Sequence, residues 1–170
     1  MGFLVLAKVF CIVFSLLFIF SFCGCSIIED GYSLQAFTER ANERFEQWEI
    51  STNGFVLNEK DKTYSKFFKF DKNEILIQFE YNENKELTSL HIVFDKLTEN
   101  NTQELDFIKN IIFAFINNDA ITTEILSEID FEKAVFTPDI NTKTVKNGNI
   151  ELKIDVTEIG TVISVYQNIP

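Results

Sequence analysis

Cysteine is absent from this chain outside its N-terminal segment. The sequence contains three cysteines, and all of them lie within the first 25 residues, at Cys11, Cys23 and Cys25. The remaining residues therefore provide neither a free thiol nor a disulfide. A folded domain built from them must be held together by its hydrophobic core alone.

Histidine occurs once, as His91. A histidine-rich metal site, a Cys-His pair or a Ser-His-Asp triad would each depend on this single ring. The apolar alternation around Leu90 and Ile92 puts His91 on the other side of a strand, facing solvent. The sequence therefore assigns no catalytic residue and no metal ligand.

Glycine is also sparse, and none of it forms a phosphate-binding loop. The four glycines after the N-terminal segment, Gly31, Gly54, Gly148 and Gly160, all read as turn residues. The sequence has no Gly-x-Ser-x-Gly elbow and no His-Glu-x-x-His. Its acidic turn near Asp71 does not match a calcium-binding EF-hand loop. We therefore expect no cofactor and no metal.

Basic residues are few relative to acidic ones. The chain has 15 Lys and Arg against 26 Asp and Glu, a net charge of −11. Binding to nucleic acid depends on clustered Lys and Arg, and no basic patch exists here. The same charge is mildly repelled from an anionic bilayer surface. Nucleic acid is therefore excluded as a partner, and the domain is expected to stand off from the membrane.

The N-terminal segment has the order of features that marks an export signal. Lys8 provides a positive charge, Val9 to Phe22 form an apolar run, and the small residue Gly24 precedes Cys25. This junction resembles a bacterial lipoprotein signal, with Phe22 and Cys23 where an aliphatic and a small residue are usual. The resemblance implies that residues 1–24 are removed and that Cys25 is lipidated with two acyl chains.

A lipidated Cys25 would give the chain a membrane lipid as its first partner. Two acyl chains suffice for stable attachment to a membrane. Residues 25–32 would then form a short tether, since Ser26 to Tyr32 reach only about 25 Å when extended. The resemblance places the chain on the bacterial cell membrane or outer membrane, with its domain outside the cytoplasm.

Two alternatives to lipidation remain open at this point. Phe3 to Phe22 are apolar apart from Lys8, Ser15 and Ser21, close to the roughly 20 residues of a membrane-spanning helix, so an uncleaved signal anchor is one. Plain secretion is the other.

Without residues 1–24 the chain keeps 14 basic and 26 acidic side chains, a net charge of −12. Residues 33–170 have the length of a single domain.

Hydrophobic periodicity predicts helices and strands in both halves of this domain. Ser33 is a candidate cap for a helix with Leu34, Phe37, Ala41, Phe45 and Trp48 on one face and Glu39, Arg40, Glu43, Arg44 and Glu46 opposite. Three strands follow, over about Lys62 to Phe70, with Ile75, Ile77, Phe79 and Tyr81 inward, and with Leu90, Ile92 and Phe94 inward. The short polar turns between them predict an antiparallel meander.

The second half repeats this order of elements. Thr102 is a candidate cap for an apolar helix from Leu105 to Ile116, expected to be the most buried. Asn117 to Asp119 break it, and Ile121, Ile125 and Ile129 predict a short third helix. Three more strands follow, near Thr142 to Lys146, with Ile150, Leu152, Ile154 and Val156 inward, and from Thr161 to Asn168.

The sequence thus predicts an α+β domain in which an antiparallel sheet, or two, packs against two or three helices. The segment from Lys72 resembles the segment from Lys146 in its alternation, an offset of 74 residues. Two helix-plus-three-strand units would then share one sheet or face each other across one core. The alternative is that any two half-buried hairpins look alike.

One face of the predicted sheet is more apolar than a solvated surface requires. Its candidate binding residues are Phe67, Leu76, Leu87, His91 and Val93. Either this face covers a neighbouring sheet, or it binds a partner. Replacing Phe67 and Leu76 by Ser separates the two, because loss of thermal stability indicates core and loss of association alone indicates a surface.

These features favour a binding or envelope-assembly module without catalysis, with an envelope protein or a glycan as its partner. One alternative is a small envelope hydrolase that uses paired carboxylates, since acidic residues are abundant. Another is a purely structural role near the membrane, without a ligand.

Overall fold

The computed structural model describes residues 31–45, 48–71, 73–137 and 140–168. The predicted signal peptide, Cys25 and the tether as far as Asp30 lie outside these ranges, as does Glu46 of the first helix. Among the described helices, none combines the length and the apolar character needed to cross a membrane.

The described ranges contain four α-helices, a short 3-10 turn at Thr52–Gly54 and seven strands. The helices are α1 (Leu34–Arg44), α2 (Thr102–Ile116), α3 (Asp119–Glu128) and α4 (Phe131–Phe136). The strands are β1 (Val56–Asn58), β2 (Thr63–Lys69), β3 (Glu74–Tyr81), β4 (Leu87–Phe94), β5 (Asn141–Asn147), β6 (Ile150–Val156) and β7 (Thr161–Gln167). The α+β class is confirmed, with α4 as an additional short helix.

All seven strands belong to one antiparallel sheet with the order β1-β2-β3-β4-β7-β6-β5. The meander β2-β3-β4 and the meander β5-β6-β7 meet where β4 pairs with β7. The two halves therefore share one sheet, as one of the two predicted arrangements requires. Neither half supplies a second sheet to cover the other.

The predicted offset of 74 residues between the halves is wrong by one residue. It aligns Ile77, which faces the core, with Glu151, which lies on the other side of β6. An offset of 75 aligns Ile77 with Leu152, and both of these side chains are fully buried. Because the side-chain period of a strand is two, a shift of one residue exchanges its faces.

The hydrophobic core lies between one side of this sheet and the helices. Every predicted inward residue of β3, β4 and β6 is buried, and Ile75, Ile77 and Phe79 are completely inaccessible to solvent. The apolar stripe of α2 packs on the same side, and nine of its residues are buried, more than in any other described helix. Its predicted burial is therefore confirmed.

The first helix is shorter than its apolar periodicity predicts. Ser33 caps it as expected, accepting a hydrogen bond from the Ala36 amide at 3.1 Å. The helix ends at Arg44, since Phe45 has an extended backbone, and Asn42 forms hydrogen bonds with both the amide and the carbonyl of Ile50. Trp48 therefore lies beyond the helix, where it packs on the rings of Phe70 and Phe107.

The start of α2 is fixed by its neighbours rather than by the predicted cap Thr102. Thr102 lies in the first turn, and the residue before it, Asn101, accepts hydrogen bonds from Thr98. Glu104 is buried and accepts hydrogen bonds from Asn73 at 2.7 Å and Asn101 at 3.0 Å. Burial raises the pKa of Glu104, but these hydrogen bonds outweigh it and hold the pKa below its usual value. The carboxylate thus ties the β2-β3 turn to α2.

Candidate binding face of the sheet

The side of the sheet that faces away from the helices is called the open face here. Every strand residue in the hydrophobic core lies on the helix side of the sheet. On the opposite side, Phe67 is 63% exposed, Tyr166 39% and Val93 37%. No element among the described ranges covers these side chains, and the predicted alternative of a neighbouring sheet is therefore wrong for this part of the chain.

Apolar side chains form a continuous row across four adjacent strands of the open face. Phe67 pairs with Leu76, Leu76 with Val93, and Val93 with Val162. Directly opposed side chains on an antiparallel sheet lie about 5 Å apart, so these four touch in sequence. We call them the apolar row. The structure thus brings three of the predicted face residues together and adds Val162, which the sequence did not single out.

Leu87 does not belong to the open face. Its side chain is only 2% exposed and lies in the core. The register between β3 and β4 shifts at Glu80 and Tyr81, so that Leu87 pairs with Tyr81 while Glu80 pairs with Ser89. This bulge inserts Thr88 as an extra residue and turns Leu87 to the helix side. The expectation that Leu87 lies on the binding face is therefore wrong.

His91 lies on the open face as expected, but within a polar cluster that covers most of its ring. Its Nδ1 is 3.0 Å from the Ser164 hydroxyl, and its Nε2 is 3.4 Å from the Ser89 hydroxyl and 3.5 Å from Glu80 Oε1. Ser89 donates a hydrogen bond to the second oxygen of Glu80 at 2.8 Å. The ring meets Tyr166 edge to face. We call these five residues the His91 cluster.

The His91 cluster contains a hydroxyl, an imidazole and a carboxylate, the components of a nucleophilic triad. The geometry does not suit that chemistry, because Ser164 is only 5% exposed and Ser89 only 2%. Three grooves in the described part of the chain lie along the helices. One of them, of about 830 Å³, is lined by Leu105, Phe136 and several acids. The cluster fixes side chains across three strands instead of presenting a nucleophile.

The charged side chains of the open face nearly cancel. Three lysines and four acids point to this side: Lys69, Lys146, Lys153, Glu74, Glu80, Glu151 and Asp155. Each lysine forms an ion pair with one of the acids: Lys69 with Glu74 at 3.2 Å, Lys146 with Glu151 at 2.7 Å, and Lys153 with Asp155 at 2.7 Å. The face therefore carries a net charge of −1, whereas the whole chain carries −11.

Asp155 shows how tightly these charges are held. Burial raises the pKa of its carboxyl, but hydrogen bonds from Lys153 and Thr142 outweigh that effect and hold the pKa below its usual value. The carboxylate of Asp155 therefore stays ionised, with Lys153 and Thr142 as its partners. Because these partners occupy it, it is not available as a general base.

The open face combines the apolar row with polar neighbours that are largely paired with one another, which suits contact with another surface. In the described ranges, no group of three or more His, Cys, Asp or Glu is placed to hold a metal ion. No family model, no curated protein and no solved structure matches this chain.

Proposed function

We propose that the chain is an exported lipoprotein that works as a binding module without catalysis, and that its open face makes the contact. The observation that carries this proposal is the apolar row, exposed on a sheet face that no described element covers. An exposed contiguous apolar strip costs free energy in water and is typical of an interaction site. The extent of the face over several adjacent strands favours a protein surface as the partner.

The proposed location of the chain in the cell rests on the N-terminal sequence. The apolar run to Phe22, followed by Gly24 and Cys25, favours acylation of Cys25 and attachment to the bacterial cell membrane or outer membrane. The short tether then keeps the domain within about 25 Å of the lipid. A partner of the open face must accordingly be present near the membrane surface.

A role in binding fits the polar groups better than a role in hydrolysis. A carboxylate hydrolase needs two acids at a defined separation, one of them partly desolvated and poised to exchange a proton. On the open face, Glu80 accepts a hydrogen bond from Ser89, while Asp155 is held by Lys153 and Thr142. These acids are engaged in stabilising the sheet.

Photocrosslinking in intact membranes tests the proposal. A photoreactive phenylalanine analogue is placed at position 67 of the full chain, and the control chain carries it at position 159. Ile159 is 90% exposed and lies in the turn between β6 and β7, outside the strands that carry the apolar row. We expect a discrete adduct from position 67 and only background labelling from position 159.

The same experiment can overturn the proposal. If position 67 gives no adduct above the level of position 159 in membranes where the chain is present at its natural abundance, the open face binds nothing and the proposed function fails. Adducts of equal yield at both positions indicate random collision and count against it as well.

A further inference from the structure

We propose that the partner of the open face is a second copy of the same chain, so that two anchored domains pack sheet against sheet. This inference rests on the proposed use of the open face for binding and adds the identity of the partner. Three properties of the face support it: its charge, its area and the state of its polar groups.

The charge distribution directs a second acidic copy to this face. The chain carries a net charge of −11, and the open face holds only −1 of it. Contact through the open face brings together a net charge of only −1 from each copy. The remaining negative charge then stays on the outer sides of the pair, where water and salt screen it.

The size of the face suits a stable pair. Neighbouring strands lie about 4.8 Å apart and residues rise about 3.3 Å along a strand, so six full strands of seven residues span roughly 29 Å by 23 Å. That projected surface is on the order of 700 Å² per copy, close to the roughly 800 Å² per partner of a standard protein interface.

Several polar neighbours of the apolar row already have hydrogen-bond or ion-pair partners within one copy. His91 has partners at both ring nitrogens, and Glu80 accepts the hydrogen bond of Ser89. Lys153 and Asp155 are paired with each other. Covering a polar group is costly when it leaves a donor or acceptor unpaired, and these groups keep their partners within the same copy.

A pair related by twofold symmetry uses the same patch on both copies, so the patch must complement itself. The apolar row does so, because apolar side chains on two facing sheets interdigitate at a separation of about 10 Å. Attachment of both copies to one membrane raises their effective concentration and favours the pair further.

Co-isolation of two differently tagged copies tests the inference. Full-length chains with two distinct C-terminal tags are expressed together, extracted in mild detergent and purified through one tag. We expect the second tag to co-purify, and sedimentation to give twice the mass of one chain. Introducing Phe67→Asp with Val93→Asp should reduce co-purification to background, because it buries charge in the apolar row. The matched control Ile159→Asp should leave co-purification unchanged.

The outcomes separate this inference from the proposed function. Co-purification that persists in the Phe67→Asp, Val93→Asp chain, with its circular dichroism and melting temperature intact, overturns the second copy as the partner. A monomer by sedimentation, together with a position-67 adduct that contains a different protein, also overturns it but leaves the binding module standing. A monomer without any position-67 adduct overturns both.

Discussion

Replacing Phe79 by alanine should lower the free energy of unfolding by about 3–5 kcal/mol, the usual cost of a large-to-small change in a core. Phe79 is completely buried, and its ring lies 4.6 Å from that of Phe37, 5.7 Å from that of Phe55 and 6.0 Å from that of Phe115. Truncation thus removes contacts to α1, to α2 and to the segment before β1 at once. For a domain of this size, the melting temperature should fall by about 10–20 °C.

Phe67→Ala is the matched control, because it makes the same chemical change on the next strand and on the other face. Phe67 is 63% exposed, so its loss should cost no more than about 1 kcal/mol in the isolated chain. Chemical denaturation of both variants at low protein concentration gives the comparison. Equal losses of stability for the two variants would mean that the open face is covered by part of the same chain.

Replacing Cys25 by alanine should abolish incorporation of a fatty-acid probe into the chain. The physical reason is that a thioether to a diacyl group requires the sulfur of this residue, and residues 1–24 are removed only once that sulfur is modified if the resemblance to a lipoprotein signal holds. Metabolic labelling followed by gel electrophoresis measures the effect. The substituted chain should lack the label and keep its leader, and so migrate as a larger species.

Cys23→Ala and Cys11→Ala are the controls for this labelling experiment. Both replacements remove a thiol from the same segment but leave Gly24 and Cys25 in place. Both chains should therefore incorporate the probe at the level of the unchanged chain. Label that persists after Cys25→Ala and disappears after Cys23→Ala would move the site by two residues. An unlabelled natural chain with its leader intact would indicate an uncleaved anchor.

Much of the fold could be predicted because apolar alternation reports directly on burial. Ile77, Phe79 and Tyr81 alternate with the polar residues Gln78 and Glu80, and each of the three is buried in the core. Helix ends were less predictable, since they depend on contacts that are distant in sequence. The two hydrogen bonds between the Asn42 side chain and the backbone of Ile50, beyond the end of α1, have no signature in the hydrophobic periodicity.

The candidate site was only partly predictable for a related reason. Alternation tells which side of its own strand a residue occupies, and this was enough for Phe67, Leu76 and Val93. It does not tell which strands are neighbours, and only the pairing of β4 with β7 brings Val162 to Val93 and Ser164 to His91. A β-bulge reverses the side to which the following side chains point, so alternation predicts the wrong face for Leu87.

Hydroxyl-radical footprinting of intact membranes shows whether a partner covers the open face. Mass spectrometry gives the oxidation rates of Phe67 and Tyr166 in the membranes. Each rate is divided by the oxidation rate of the same residue in the unfolded chain. Ile159 serves as the exposed reference. We expect Phe67 and Tyr166 to be strongly protected from oxidation, whereas Ile159 should react freely. Oxidation of Phe67 in proportion to its 63% exposure in the single chain would contradict this expectation.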